Sequence, residues 1–133
     1  MKSKADELRV ADRIDFAGFV NDRSRVLDSL RQADVLLFCH KTPESPRVLI
    51  ESLISATPIV GYDGAFQRDL IEPHQGGRLV PVNDVDGLAR ELLQLHQERT
   101  ALSALIEAAW LDGEPFNDVA VFAHRSELIK RYT

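Results

Sequence analysis

The sequence predicts an α/β fold in which a Rossmann-like parallel sheet is flanked by helices. Short apolar runs alternate along the chain with segments whose apolar residues recur at helical spacing, and this alternation is typical of βαβ units. The run at residues 35–39 is apolar throughout, which indicates a strand buried on both faces of such a sheet. The chain has no internal repeat or linker, so we expect residues 1–133 to form a single domain.

Four segments are expected to form the strands. Residues 13–18 alternate between apolar and polar side chains and end in glycine, a pattern typical of a strand. The other three strands are expected at residues 35–39, at residues 58–62, which open with a proline, and at residues 78–82. Ligands of open α/β sheets bind at the carboxyl ends of the strands, so we expect the site in the loops that follow them.

Helices are expected between and after these strands. Asn21, and then Asn83 or Asp84, stand where N-cap residues are preferred, before apolar residues at helical spacing. Ser45 followed by proline predicts a helix from Pro46 to about Ala56. The remaining helices are expected at residues 65–71, at about 100–110, and in a last segment that carries Val119, Phe122, Ala123 and Ile129.

Charge and composition exclude several classes of function. The chain has 16 Lys and Arg against 21 Asp and Glu, a net charge of −5, whereas affinity for nucleic acid comes largely from a basic surface. No apolar run is long enough to cross a membrane, and residues 1–4 lead into charged residues rather than the apolar stretch of a signal peptide. We therefore expect a cytoplasmic protein that binds no nucleic acid.

The sequence predicts neither a metal site nor a nucleophile. Cys39 lies in an apolar run, which indicates a buried and inert thiol. No second cysteine accompanies the Cys39-His40 pair, and the other histidines fit no metal-binding spacing. Ser45 has no His and Asp partners at a recognisable spacing, so its expected role is that of a helix cap.

The most informative stretch is residues 41–51, where a polar loop at a strand end leads into a helix. A helix N-terminus carries free N–H groups and about half a positive charge, so it suits a phosphate group. Glu51 lies further into the helix, where its carboxylate could accept hydrogen bonds from sugar hydroxyls, as the acidic residue of dinucleotide-binding folds does. The alternative for Glu51 is a solvated carboxylate on a helix surface.

Four segments of the chain follow one another in an informative order. They are residues 14–20, 33–37, 47–61 and 76–80. The third, which follows Pro46, reads Arg-Val-Leu-Ile-Glu-Ser-Leu-Ile-Ser-Ala-Thr-Pro-Ile-Val-Gly. It resembles the pattern Pro-x-Val-Leu-x-Glu-Ala-Met-Ala-x-Gly-x-Pro-Val-Val-Ala of family 4 glycosyltransferases. Over residues 5 to about 98 the chain resembles the C-terminal, donor-binding half of these enzymes, which have the GT-B fold.

The resemblance implies a glycosyltransferase whose donor substrate is a UDP- or GDP-sugar and which needs no metal or other cofactor. The family motif has two glutamates, of which the second holds the ribose, and Glu51 matches it. Glu44 is the nearest candidate for the first, the catalytic glutamate at the donor sugar and diphosphate. Six residues separate the pair here and seven in the family, and Ser-Pro-Arg replaces the flexible Gly-Phe-Gly between them.

The other site residues implied by the resemblance flank the same loops. Phe19 and Val20 match the residues that meet the nucleobase. His40 lies at a strand end facing the donor sugar, with a purely structural role as its alternative. The helix start expected to bind the diphosphate comprises Ser45, Arg47, Val48 and Leu49.

The chain departs from the family at its beginning. The family's donor domain starts with two further strands and an Arg and Lys pair that neutralises the diphosphate, and it follows an acceptor-binding domain. This chain starts downstream of these parts, so we expect a truncated C-terminal domain. Such a domain would transfer little sugar alone, because it lacks much of the leaving-group stabilisation and a positioned acceptor. We expect the missing domain or a partner chain to complete it and to provide any peripheral contact with a membrane.

Two alternative functions stay open on the sequence. The chain could be an interaction subunit or a remnant that completes a split glycosyltransferase, because strand edges without neighbours invite pairing. It could also be an enzyme of another class on the same fold, such as a nucleotide-sugar epimerase.

Overall fold

The computed structural model describes residues 2–43, 46–117, 126–127 and 129–131. In this part of the chain, three parallel strands form one sheet: β1 (Leu36–Phe38), β2 (Ile59–Tyr62) and β3 (Gly77–Val80). The sheet order is β1-β2-β3, so β2 is the central strand and is buried along its whole length. β1 and β2 fall within their predicted segments, and β3 begins one residue before its predicted segment.

Helices precede, connect and follow the strands. The helices are α1 (Lys2–Glu7), α2 (Arg23–Gln32), α3 (Arg47–Ile54), α4 (Ala65–Ile71), α5 (Val85–Gln97) and α6 (Arg99–Gly113). Two 3₁₀ turns, at Ala11–Arg13 and Glu114–Phe116, complete the described elements. The order from β1 to α5 is the strict strand–helix alternation expected of a parallel α/β sheet.

The core has two layers, one on each face of the sheet. Because side chains alternate along a strand, Ile59 and Val60 of β2 point to opposite faces. The first layer groups Phe38, Leu49, Leu53, Ile59, Leu70, Ile71 and Ala109. The second groups Val60, Tyr62, Val80, Leu88, Leu95, Leu102 and Leu105. Helices α3 and α4 therefore cover one face and α5 the other, while α6 contributes to both layers.

The close approach of β1 and β2 requires a glycine at position 61. Gly61 lies opposite Phe38 in the parallel register. A Cβ atom at Gly61 would lie 1.9 Å from the Phe38 carbonyl oxygen, so any side chain there would push the two strands apart. The glycine thus belongs to the packing of the sheet at its carboxyl edge.

The strand predicted at residues 13–18 is wrong. Ile14 has extended dihedral angles, but no residue of this segment forms a ladder in the described part of the chain, and the segment opens with a 3₁₀ turn. Alternating apolar residues indicate a half-buried surface, whereas a strand also needs a neighbour that accepts its hydrogen bonds. No described residue supplies that neighbour, so the sheet has three strands here instead of four.

Several helix ends differ from the prediction by one or two residues. Asp22, and not Asn21, caps α2 by accepting a hydrogen bond from the Ser24 N–H at 3.0 Å. Asp84 caps α5 as expected, with the Gly87 N–H as donor. The structure also has a helix at Lys2–Glu7 that the sequence did not predict.

The expected last helix lies mostly outside the described residues. Val119, Phe122 and Ala123 fall there, so the apolar face assigned to them stays a prediction. Ile129 is described and is exposed.

Candidate functional site

A cavity of about 450 Å³ opens at the carboxyl edge of the sheet. It lies between the loop that follows β1, residues 40–43, and the segment that follows β2, residues 63–67. This is the edge where α/β sheets bind ligands, and it coincides with two of the loops that the sequence indicated.

The wall on the β2 side is fixed by hydrogen bonds and an ion pair. The Asp63 N–H donates to the Val80 carbonyl at 2.7 Å, and the Asp63 carboxylate contacts the Arg68 guanidinium at 2.8 Å. The buried Gln67 side chain donates to the Tyr62 carbonyl at 3.3 Å. Gly64 leaves room for this arrangement, because a Cβ atom there would lie 2.5 Å from Gln67 Oε1.

Asp63 and Gln67 were not among the sequence-predicted site residues. Their sequence signal was the turn after the third predicted strand, which marks a loop but does not say which side chains line a cavity. The structure therefore identifies this wall of the cavity, which the sequence pattern did not predict.

His40 is the sequence-predicted site residue that lines this cavity. Its ring stacks on Phe38 with the ring centroids 4.4 Å apart and an angle of 20° between the planes. Phe38 is buried in the core, so the stacking holds the imidazole against the end of β1. His40 as a whole is exposed.

Glu51 lies on α3, away from the cavity lining, and two arginines hold it. Arg23 Nη2 lies 3.2 Å and Arg47 Nε lies 3.3 Å from the same carboxylate oxygen, Oε1. The Glu51 side chain is only 13% exposed, whereas both arginine side chains are largely exposed. The carboxylate is therefore shielded from solvent and fixed in orientation, unlike the solvated helix carboxylate that was its alternative.

The start of α3 offers fewer free donors than predicted. Pro46 takes the cap position, and its carbonyl accepts the Leu49 N–H at 3.2 Å, which leaves the Arg47 and Val48 amides without an acceptor in the described part of the chain. The Leu49 side chain is fully buried in the core and supports the helix, while the donor-binding role assigned to this residue stays a prediction. Glu44 and Ser45 lie outside the described residues, and their assignments stay predictions.

The segment before α2 carries the residues predicted to meet a nucleobase. Gly18 has a φ of +69°, a left-handed conformation that glycine adopts without strain, and Phe19 follows it with 92% of its surface exposed. Val20 is half-buried. This segment leads directly into α2, whose first residue, Arg23, reaches Glu51.

The prediction of a buried Cys39 is wrong, because Cys39 is exposed. The continuous apolar run suggested burial on both faces, but β1 ends at Phe38, which fills the core position. Partial burial nevertheless raises the pKa of the Cys39 thiol, because a thiolate is poorly solvated there. At neutral pH the thiol is therefore weakly nucleophilic despite its exposure.

A wider groove of about 730 Å³ runs along the outer edge of β3. Its two arginines already have carboxylate partners: Arg68 contacts Asp63, and Arg78 contacts Glu91 at 2.9 Å. Asp69 and Glu72 line the groove as well, so its net charge is negative and the carboxyl edge is the better candidate for an anionic ligand.

The described ranges hold neither a metal-binding cluster nor a membrane-spanning helix. Among residues 2–43 and 46–117 and the short described pieces after them, no three His, Cys, Asp or Glu side chains converge on a point that a metal ion could occupy. Within the same ranges, none of the helices combines the length and the apolar character needed to cross a bilayer.

Two comparisons with known proteins agree with each other. Residues 1–111 match the family described as glycosyl transferases group 1. The chain is 37% identical over 100 residues to a phosphatidyl-myo-inositol mannosyltransferase of Mycolicibacterium smegmatis, a match that covers 70% of this chain and 25% of the relative. The matched region thus spans about a quarter of that relative's length. The family match takes in the whole sheet, α3 and both arginine partners of Glu51, and the chain belongs to the group 1 glycosyl transferases.

Proposed function

We propose that this chain is the donor-binding part of a glycosyltransferase and binds a nucleotide-diphosphate sugar at the carboxyl edge of its sheet. The observation that carries the proposal is the fixed, shielded carboxylate of Glu51 on the helix that follows β1. Membership of the group 1 family supports the reaction class. The glycosyl group would pass to an acceptor bound elsewhere.

We propose that the groups of such a donor bind in order along the site. The base would lie on Phe19 and Val20, and the ribose would bond to Glu51. The diphosphate would lie at the start of α3, where the Arg47 and Val48 amides have no acceptor in the described part of the chain. The sugar would enter the cavity beside His40. The catalytic role proposed for Glu44 rests on the family motif, because this residue lies outside the described residues.

Local positive charge supports diphosphate binding despite the net charge of −5. Lys41 lines the cavity and supplies the positive charge, whereas Arg47 at the start of α3 is paired with Glu51 and offers the diphosphate its backbone N–H. The diphosphate leaving group gains negative charge as the glycosidic bond breaks, so donors aimed at it stabilise the transition state. We propose that these groups hold the donor but that the chain alone transfers little sugar, because no acceptor is positioned against it.

The relative from Mycolicibacterium smegmatis is named a mannosyltransferase, so mannose linked to GDP or UDP is the first donor to test. Turnover of such a donor should require an acceptor and a second domain or chain. Rapid transfer by the purified chain alone would contradict this part of the proposal. Conversion of the donor to an epimer without acceptor would favour the epimerase-type alternative.

The donor proposal is tested by titrating the ¹⁵N-labelled chain with UDP, GDP, ADP and their sugars while following amide chemical shifts. Glu51→Gln keeps the side-chain volume but removes the charge, and Glu107→Gln on the exposed face of α6 is the matched control. We expect Glu51→Gln to weaken nucleotide binding about tenfold, as expected for losing hydrogen bonds to a charged group, and Glu107→Gln to leave it unchanged. Equal affinities of the two variants would refute the role of Glu51.

A partner chain is the second candidate, and one observation favours it. Within the described residues, β1 pairs with β2 alone, and Leu37 of β1 is half exposed. An unpaired strand edge offers hydrogen bonds to a strand from another chain. A second polypeptide that co-purifies in a fixed ratio would support a split enzyme, whereas a well-folded monomer in light scattering would count against it.

A further inference from the structure

The first turn of α2 is held in place by its capping residue. The Asp22 carboxylate accepts hydrogen bonds from the Ser24 N–H at 3.0 Å and the Ser24 hydroxyl at 2.9 Å. Arg23 is the first residue of the helix, and its position is therefore well defined. From there its guanidinium reaches across to Glu51 on α3, and the two helices pack against each other.

Both arginine contacts fall on one oxygen of Glu51. Arg23 and Arg47 contact Oε1, while Oε2 has no partner in the part of the chain that the structure describes. An ionised carboxylate has about four lone-pair sites, two on each oxygen. The side chain is thus fixed through Oε1, and Oε2 can accept two hydrogen bonds from a ligand.

The two contacts differ in what they connect. Arg47 and Glu51 are four residues apart on α3, so their ion pair depends on one helix alone. Arg23 belongs to another element, the one that follows Phe19 and Val20. Its contact fixes the carboxylate relative to the segment proposed to bind the base.

We propose that Arg23 is a positioning residue that acts through Glu51, orienting Oε2 toward the two vicinal hydroxyls of a ribonucleotide. The proposal rests on the donor-binding function proposed above. It adds that Arg23 gives the site part of its preference for ribose, although the guanidinium itself contacts Oε1 and not the ligand. Loss of Arg23 leaves Glu51 with the same-helix contact alone and frees its orientation.

The test compares dissociation constants of GDP and UDP with those of their 2′,3′-dideoxy analogues, measured by amide shifts. The variants are Arg23→Ala and Arg23→Lys, with Arg31→Ala as control, because Arg31 is an exposed arginine of the same helix whose ion pair stays within α2. We expect Arg23→Ala to weaken ribonucleotide binding about fivefold, in the range of a single partly exposed ion pair. It should leave the dideoxy analogues unaffected, and Arg23→Lys should restore part of the loss.

The double variant Arg23→Ala with Glu51→Gln gives an independent readout. If Arg23 acts through Glu51, the double variant binds ribonucleotides no more weakly than Glu51→Gln alone. Fully additive losses would overturn the proposal. Arg23→Lys and the amide spectrum of each variant separate this result from a general loss of folding.

Failure of this inference is distinguishable from failure of the proposed function. If the wild-type chain prefers ribonucleotides but Arg23→Ala weakens both ligand series equally, or neither, the role of Arg23 is overturned and donor binding stands. If the folded wild-type chain binds neither series, both proposals are overturned.

Discussion

Asp112 of α6 accepts a hydrogen bond from the Gly76 N–H at 2.6 Å and thereby fixes the last described long helix to the entrance of β3. The Asp112 side chain is fully buried, and its other oxygen lies 3.0 Å from His74 Nδ1. Gly76 permits the contact, because a Cβ atom there would lie 2.5 Å from the Ala109 Cα. One buried carboxylate thus joins α6 to the sheet.

Replacing Asp112 by alanine is expected to destabilise the fold. The change leaves the buried Gly76 N–H without its acceptor, which costs about 1–3 kcal/mol. Urea unfolding followed by circular dichroism measures the loss. Asp69→Ala, at an exposed position of α4, is the control and should change the free energy of unfolding by less than about 0.5 kcal/mol. Equal stability of Asp112→Ala and the wild type would show that the hydrogen bond is not needed.

Replacing Ala56 by glycine is expected to stabilise the fold. Helix α3 ends in a Schellman motif, in which the Thr57 N–H donates to the Ser52 carbonyl and the Ala56 N–H to the Leu53 carbonyl. Ala56 has a φ of +60°, which costs an L-residue about 1–2 kcal/mol. The greater entropy of glycine in the unfolded chain offsets part of this relief, so we expect Ala56→Gly to raise the free energy of unfolding by about 0.5–1 kcal/mol.

The control for Ala56→Gly is Ala104→Gly on the exposed face of α6. There the backbone is right-handed, so the same substitution should lower stability by about 0.5–1 kcal/mol. Opposite signs at the two sites would support the argument from backbone strain. A loss of stability at both sites would contradict it.

Alkylation of Cys39 should show the raised pKa of its thiol. Only the thiolate reacts with iodoacetamide, so the rate should rise at a higher pH in the folded chain than in the chain unfolded by urea. The folded state holds this proton more tightly, so its contribution to stability is present below the unfolded-state pKa and is lost as the pH rises through the folded-state pKa. The same pH–rate curve in both states would mean that burial has no effect on the thiol.

The sequence predicted the strands of the sheet more accurately than the segments next to them. The proline at position 58 opens an apolar run that ends before Asp63, a length typical of a strand, and β2 lies there. The segment that begins near Ile14 was mispredicted because alternation reports side-chain burial and not the presence of a neighbouring strand. Cys39 was mispredicted for a similar reason, since an apolar run does not reveal where the strand ends.

Part of the candidate site could be predicted from the sequence, and part could not. Resemblance to a family singled out Glu51, because the motif around it is local in the sequence. The contact of Glu51 with Arg23 joins residues on two different helices, and no local pattern predicts it. The Gln67 wall of the cavity likewise depends on how the chain turns after β2.

The most direct test of donor binding is the map of amide shifts when the folded wild-type chain meets GDP or UDP. We expect the perturbed amides to cluster at Phe19 and Val20, at Arg47 and Val48, and around Glu51, which is the pattern of donor binding. Shifts confined to the groove along β3, or a spectrum that no nucleotide changes, would contradict it.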